Sequence, residues 1–281
     1  MKALVLFGSE SDEPLFTNVC KGLKKAGFGF KLRILSAHRT SKEVETALRN
    51  EKYDFVISSA GLSNALSGVC SAQTVKPVFG IPSKNNYSGL DSLLATHQMP
   101  PGTPVIGTGV KNVEGLIEQL RLLEKADVKK IVLIKRKNSK EHESLLLKAA
   151  DLMKSLGKRF IVIDGNKKNE LSSVKKSIVI ELIDLKSGQG AGDMNNRLRF
   201  HKKNENFSLF VPVERESNAV DSVKLLSLTN KGLWVGLNNS KNAVLAGMSF
   251  DESNHKTLKK ERDKNKEKVL KADRKWRMKK W

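Results

Sequence analysis

Only two cysteines, Cys20 and Cys70, occur in 281 residues. That excludes a disulfide scaffold and any zinc site built from cysteines alone, and it suits a reducing compartment. Aromatic residues are scarce at 6%, and none interleaves with basic residues as single-strand nucleic-acid platforms require. No apolar run approaches the roughly 18 residues of a membrane span. The opening Met1-Lys2-Ala3-Leu4-Val5-Leu6-Phe7 is broken too soon by Gly8-Ser9 for a signal peptide, so a soluble, cytoplasmic chain is expected. Acidic residues are also in short supply. The chain has 30 Asp+Glu against 51 Lys+Arg, a formal net charge of +21. Residues 251–281 hold thirteen basic and six acidic residues, a net of +7, and the rest of the surplus is spread along the chain. Charge of this kind speaks to association rather than fold, and nucleic acid is not expected as the main partner. A hydrophobic content of 39% argues against a disordered chain despite the charge.

At roughly 100–200 residues per domain, the length predicts two domains or one large one. Over residues 1–126 short apolar runs alternate with helical patterns. Residues 3–7 are continuously apolar, as in a strand buried on both faces. Pro14 suits the first turn of a helix, and Phe16, Val19, Cys20, Leu23 and Ala26 follow at helical spacing before Gly27 ends it. Further strands are predicted at 30–35, 55–57, 78–81 and 105–107, with helices over 42–49 and 89–96. This alternation predicts a parallel α/β sheet.

Four polar clusters follow the first four strands. They are Gly8-Ser9-Glu10-Ser11-Asp12, Ser36-Ala37-His38-Arg39-Thr40, the run from Ser59 through Gly61, Ser63, Asn64, Ala65 and Leu66 to Gly68, and Gly80-Ile81-Pro82-Ser83. In an open parallel sheet the carboxyl ends of the strands share one edge, where ligands bind. Glycine and serine before a helix offer N–H groups and hydroxyls to an anion. Arg39 supplies a planar fork for phosphate. Asp12 repels phosphate but accepts hydrogen bonds from ribose hydroxyls. His38, the one histidine of five within these clusters, exchanges a proton near neutral pH. The set reads as a ribose-phosphate site beside a proton-transfer group. Taken singly, Asp12 as a helix cap and Ser36 as a turn residue are the simpler readings.

The first two clusters, with Gly89-Leu90-Asp91-Ser92-Leu93 and Gln98-Met99-Pro100-Pro101-Gly102, resemble the aminoimidazole ribonucleotide carboxylases and mutases of purine biosynthesis, in order over roughly residues 3–110. The resemblance implies a flavodoxin-like or Rossmann-like three-layer αβα sandwich on a parallel sheet. It also implies formation of 4-carboxy-5-aminoimidazole ribonucleotide without metal or organic cofactor. Ser9, Asp12 and Arg39 would then bind the ribose phosphate, helped by Ser11 and Ser36. Gly61, Ser63, Asn64, Ala65 and Leu66 would line the substrate, and His38 would be the general acid/base. A dry pocket would retain carbon dioxide. The branch stays open. Ala65 stands where the mutases usually carry a second histidine, and Arg39 where the direct carboxylases usually carry lysine. Gln98-Met99-Pro100 favours the mutases. A non-catalytic nucleotide-monophosphate-binding protein and a basic nucleic-acid-binding protein are the rival readings.

Residues 127–250 line up with the first half. Phe210-Val211-Pro212 matches Gly80-Ile81-Pro82, and Asn218-Ala219-Val220-Asp221-Ser222 matches Ser88-Gly89-Leu90-Asp91-Ser92, both displaced by 130 positions. A tandem duplication is expected: a catalytic domain over 1–126, a degenerate copy over 127–250 and a basic helical tail over 251–281. The copy lacks the chemistry, with Lys135-Arg136-Lys137-Asn138-Ser139 and Asp164-Gly165-Asn166-Lys167-Lys168 in the first two loops. Gly188-Gln189-Gly190-Ala191-Gly192 is better read as a turn than as a phosphate loop. His201 is expected in solvent, His97 and His142 on helices and His255 in the tail, with no pattern for a metal. The family commonly forms octamers, so four duplicated chains would build the same particle. A separate ATP-dependent carboxylase upstream is a further expected partner on the mutase branch.

Overall fold

The continuous apolar run of the first strand dictates its position. Ala3, Leu4, Val5, Leu6 and Phe7 are all fully buried in β1 (Lys2–Phe7), as a strand covered on both faces must be. The chain, described at residues 1–136, 138–185, 191–216 and 218–277 of a computed structural model, then alternates helix and strand throughout. Lys137, residues 188–190 of the glycine-rich run and Met278 lie outside the described residues.

The first half contains α1 (Glu13–Lys25), β2 (Gly29–Ile34), α2 (Ser41–Asn50), β3 (Phe55–Ser59), α3 (Ala65–Gln73), β4 (Val78–Gly80), α4 (Leu90–His97), β5 (Ile106–Gly107) and α5 (Val113–Leu123). The second half repeats the sequence of elements. It contains β6 (Asp127–Lys135), α6 (Lys140–Ser155), β7 (Ile161–Asp164), α7 (Lys168–Ser172), β8 (Ser177–Asp184), α8 (Ala191–Lys203), β9 (Phe207–Val213), α9 (Ala219–Leu228), β10 (Leu233–Trp234) and α10 (Ser240–Met248). A last helix, α11 (His255–Arg277), closes the described chain.

All ten strands belong to one sheet in the order β2-β1-β3-β4-β5-β10-β9-β8-β6-β7. Pairing is parallel within each half, and the halves meet through the antiparallel pair β5–β10, Gly107 opposite Trp234. Helices cover both faces, and one large apolar cluster runs beneath α1, α5, α6 and α10 across the two halves. Smaller clusters lie under the opposite layer, with Leu4, Leu6, Val56, Leu66 and Cys70 packed between the sheet and α2 and α3. The expected αβα sandwich is therefore present in both halves, joined edge to edge.

The repeat extends to backbone detail. Gly27 and Gly157 end the first helix of each half at φ 84° and 68°. Lys111 and Asn238 are both left-handed at φ 56°, and each donates its N–H over 2.9 Å to the equivalent proline carbonyl, Pro82 or Pro212. The next residues, Asn112 and Asn239, cap α5 and α10 with their side chains. Each also reaches across the junction: Asn112 Nδ2 to Asn230 O over 3.1 Å, and Asn239 Nδ2 to Met99 O over 3.0 Å. Glycine is required at this crossing. A Cβ at Gly109 would lie 2.7 Å from Asn230 Cα, and one at Gly236 would lie 2.3 Å from His97 O.

The antiparallel junction has a functional consequence. The carboxyl ends of β1–β5 and of β6–β10 face opposite edges of the shared sheet. Ligand loops of the two halves therefore cannot converge within one chain. Among the described residues, no helix is long and apolar enough to cross a membrane. The α11 helix buries Leu258 in the core, whereas Val269, Leu270 and Trp276 are exposed.

Candidate active site

The loops after β1, β2, β3 and β4 do meet at one edge. Gly8 N–H donates to Ser59 O over 3.0 Å, and a Cβ there would lie 3.0 Å from Ala60 Cβ, so the first loop lies directly on the third. Ser9 folds a single 3-10 turn, its Oγ accepting from Ser11 N at 3.2 Å and Ser11 Oγ at 2.9 Å. Arg39 leans from the second loop onto the first. Its Nη2 donates to Gly8 O at 3.2 Å and its Nε to Ser36 Oγ at 3.4 Å. Ser36 Oγ also accepts from Arg39 N, and Thr40 Oγ1 accepts from Ser36 N. The turn fixes Arg39 beside the first loop and leaves His38 exposed next to it. Ser83 Oγ donates to Ala60 O at 2.9 Å, joining the fourth loop to the third.

Asp12 is buried, and its Oδ2 has no hydrogen-bond partner. It occupies the N-cap of α1 without capping it. A satisfied helix cap is therefore not what this residue provides. Burial pushes its carboxyl above the usual range, while the Gly61 N–H and the Lys111 ammonium pull it down. A buried carboxylate oxygen lacking a donor is costly unless a ligand supplies one.

The helices at this edge are also open. None of α1, α2, α3 and α4 has its first turn capped by the N-cap side chain. In the second half Ser139 caps α6 and Asn218 forms a full capping box on α9. Uncapped N–H groups and the positive end of the helix dipole together favour an anion.

The remaining candidates divide. Gly61 lies against Asn85, where a Cβ would come within 2.8 Å of Asn85 Nδ2. Ser63 is exposed and Ala65 half-buried. Asn64 is fully buried, donating to Thr96 Oγ1 at 3.0 Å and leaving its own Oδ1 without a partner. Leu66 turns into the core, so only its backbone stands at the loop. Sequence reasoning passed over Lys111, which follows β5 at the same edge. No motif marks it.

In the second half the corresponding space is occupied. Glu181 on β8 pairs with Phe210 as Ser58 on β3 pairs with Gly80. The Ser58 Oγ–Ser67 Oγ bond of the first half, 2.9 Å, gives way to a buried ionic group. Glu181 accepts from Arg136 Nε at 2.6 Å and from Arg197, and lies 3.0 Å from His201 Nε2. This corrects the expectation for His201, which is fully buried rather than solvated. An isolated carboxylate in a strand cannot remain ionised away from water, so α8 turns Arg197 and His201 inward to meet it. His97 and His142 lie on helices and are buried. Burial lowers the His97 pKa to about 4. Among the described residues no group of three or more His, Cys, Asp or Glu is arranged to hold a metal ion.

A parallel α/β sheet with glycine- and serine-lined loops, uncapped helix starts, an arginine and a histidine at its carboxyl edge defines a nucleotide-type anion site. Comparison with known proteins narrows the class. Residues 2–140 match the AIR carboxylase family. The N5-carboxyaminoimidazole ribonucleotide mutase of Methanocaldococcus jannaschii is 38% identical over 141 residues, covering 49% of this chain and 90% of that protein. The phosphoribosylaminoimidazole carboxylase of Saccharomyces cerevisiae is 33% identical over 153 residues, which is 53% of this chain and 27% of the yeast protein. A crystal structure of Treponema denticola PurE covers 55% of this chain and 98% of its own at 25% identity and a TM-score of 0.38. The chain belongs to the AIR carboxylase family, and the matched residues are those of its first half.

Proposed function

We propose that this chain forms 4-carboxy-5-aminoimidazole ribonucleotide in purine biosynthesis, either by moving the carboxyl group of 5-(carboxyamino)imidazole ribonucleotide from nitrogen to carbon or by adding carbon dioxide to aminoimidazole ribonucleotide. The observation that carries this reading is the buried, donor-less Asp12 carboxylate beside Arg39 and four uncapped helix starts. Ribose hydroxyls satisfy Asp12. The phosphate takes Arg39, Ser9, Ser11, Ser36 and the free N–H groups. Gly61, Ser63, Asn64, Ala65 and the Leu66 backbone line the ring. His38 carries the proton between the exocyclic amine and the ring carbon as carbon dioxide departs or arrives. No cofactor takes part.

Supplying the purified protein with each substrate in turn tests the reading. Product from one substrate assigns the branch, whereas ribonucleotide binding without product from either leaves a nucleotide-monophosphate-binding protein. Salt-sensitive nucleic-acid binding with neither points to the basic surface.

The repeated strand order and paired backbone details support a tandem duplication with a catalytic domain over 1–126, a degenerate one over 127–250 and a basic tail over 251–281. His38, Arg39 and Ser63 are exposed in the single chain, so the dry pocket this chemistry needs is completed by neighbouring copies in a tetramer. Light scattering should give four chains per particle, and a monomer with full activity would remove this part of the reading. The chain works in the cytoplasm and, on the mutase branch, downstream of an ATP-dependent carboxylase.

A further inference from the structure

We propose that Lys111 is a substrate-positioning residue that acts through Asp12. This rests on the function proposed above and extends it to a residue outside the four loops. Lys111 belongs to the connection after β5, at the same sheet edge. Its backbone is held on both sides: its N–H donates to Pro82 O at 2.9 Å, and its carbonyl accepts from Val113 N at 2.8 Å. It holds a left-handed conformation, φ 56°, that a non-glycine residue adopts at some cost. The tether leaves the ammonium at the open edge, within electrostatic reach of the Asp12 carboxyl.

The second half provides an internal control. There the same backbone, with the same φ and the same hydrogen bond to a proline carbonyl, carries Asn238 in place of Lys111. The N-cap of the first helix is Ser139 in place of Asp12. The conserved geometry of the turn therefore does not need a lysine. The cation is present where the buried carboxylate is present and absent where it is absent.

The physical need is clear. Asp12 must be ionised to accept hydrogen bonds from two ribose hydroxyls, yet burial opposes its charge. The incoming phosphate brings further negative charge to the same edge, raising the cost again. Arg39 is already directed onto Gly8 O and Ser36 Oγ on the phosphate side. Lys111 is the cation on the Asp12 side.

A double-mutant cycle tests this, using KM for the active substrate and calorimetric affinity for aminoimidazole ribonucleotide. Lys111→Gln should weaken both about tenfold, the equivalent of one pKa unit on Asp12, with the loss carried in KM more than in kcat. In an Asp12→Asn background the same substitution should cost less than about twofold, since coupled residues are non-additive. Lys111→Arg should restore most of the loss, which a merely structural lysine would not require. An equal loss in both backgrounds, or none in the wild-type background, overturns the proposal. If the unsubstituted protein neither binds nor converts the ribonucleotide, the function itself fails, and that control separates the two outcomes.

Discussion

Replacing His38 with Asn should lower kcat for 4-carboxy-5-aminoimidazole ribonucleotide formation by about 10²–10⁴-fold while leaving folding intact. Asparagine retains a polar side chain of similar reach but has no ring nitrogen that gains and loses a proton. The reaction must remove one proton from a ring carbon and deliver one to, or take one from, an exocyclic nitrogen. The exposed His38 ring stands at the edge where Arg39 and Asp12 would hold the substrate. Because His38 lies in a turn outside every apolar cluster, its replacement removes no core contact. Thermal melting should stay unchanged, and substrate affinity should fall far less than kcat. Turnover near that of the unsubstituted enzyme would remove His38 from the chemistry and turn attention to Asp12.

The first half was legible because its strands are continuous apolar runs and its loops are rich in glycine and serine. Both signals survive in a single sequence. The junction was not. Ile106-Gly107 and Leu233-Trp234 are strands of two residues, too short for any period to register, and nothing local to either states that they pair antiparallel. The α3 helix was hidden for a different reason. Its sequence Ala-Leu-Ser-Gly-Val-Cys-Ser-Ala-Gln is poor in strong helix formers, and it forms because Leu66 and Cys70 bury against β1 and β3. His201 was misplaced because apolar periodicity cannot detect a buried polar face. Arg197 and His201 are four residues apart on α8 and both point inward. A signal for it did exist. Glu181 interrupts the otherwise apolar Ile-Val-Ile-Glu-Leu-Ile of β8, and an acid within a buried strand demands basic partners.

That buried group carries the second large effect. Glu181→Ala should destabilise the fold by about 3–5 kcal/mol, because Arg136 and Arg197 lose the carboxylate that compensates them. For a chain of this size the midpoint of thermal unfolding should drop by roughly 10 °C. Acid titration gives an independent check. Burial alone would raise the Glu181 pKa, but the hydrogen bond from His201 and the nearby charges of His201, Arg197 and Arg136 hold it at about 2, below the 4.5 of an unperturbed glutamate. A carboxyl depressed on folding stabilises the native state fully above its unfolded pKa and loses that contribution as pH falls. The difference in stability between the native chain and Glu181→Gln should therefore be constant near neutrality and shrink between pH 4.5 and about 2. The first-half site faces the opposite edge of the sheet, so product formation by Glu181→Gln below its melting temperature should match that of the unsubstituted chain. Loss of turnover without loss of stability would mean that the second half takes part in the chemistry. An unchanged melting curve would mean that the cluster merely fills space left by the vanished serine face, its charges contributing nothing beyond their own desolvation.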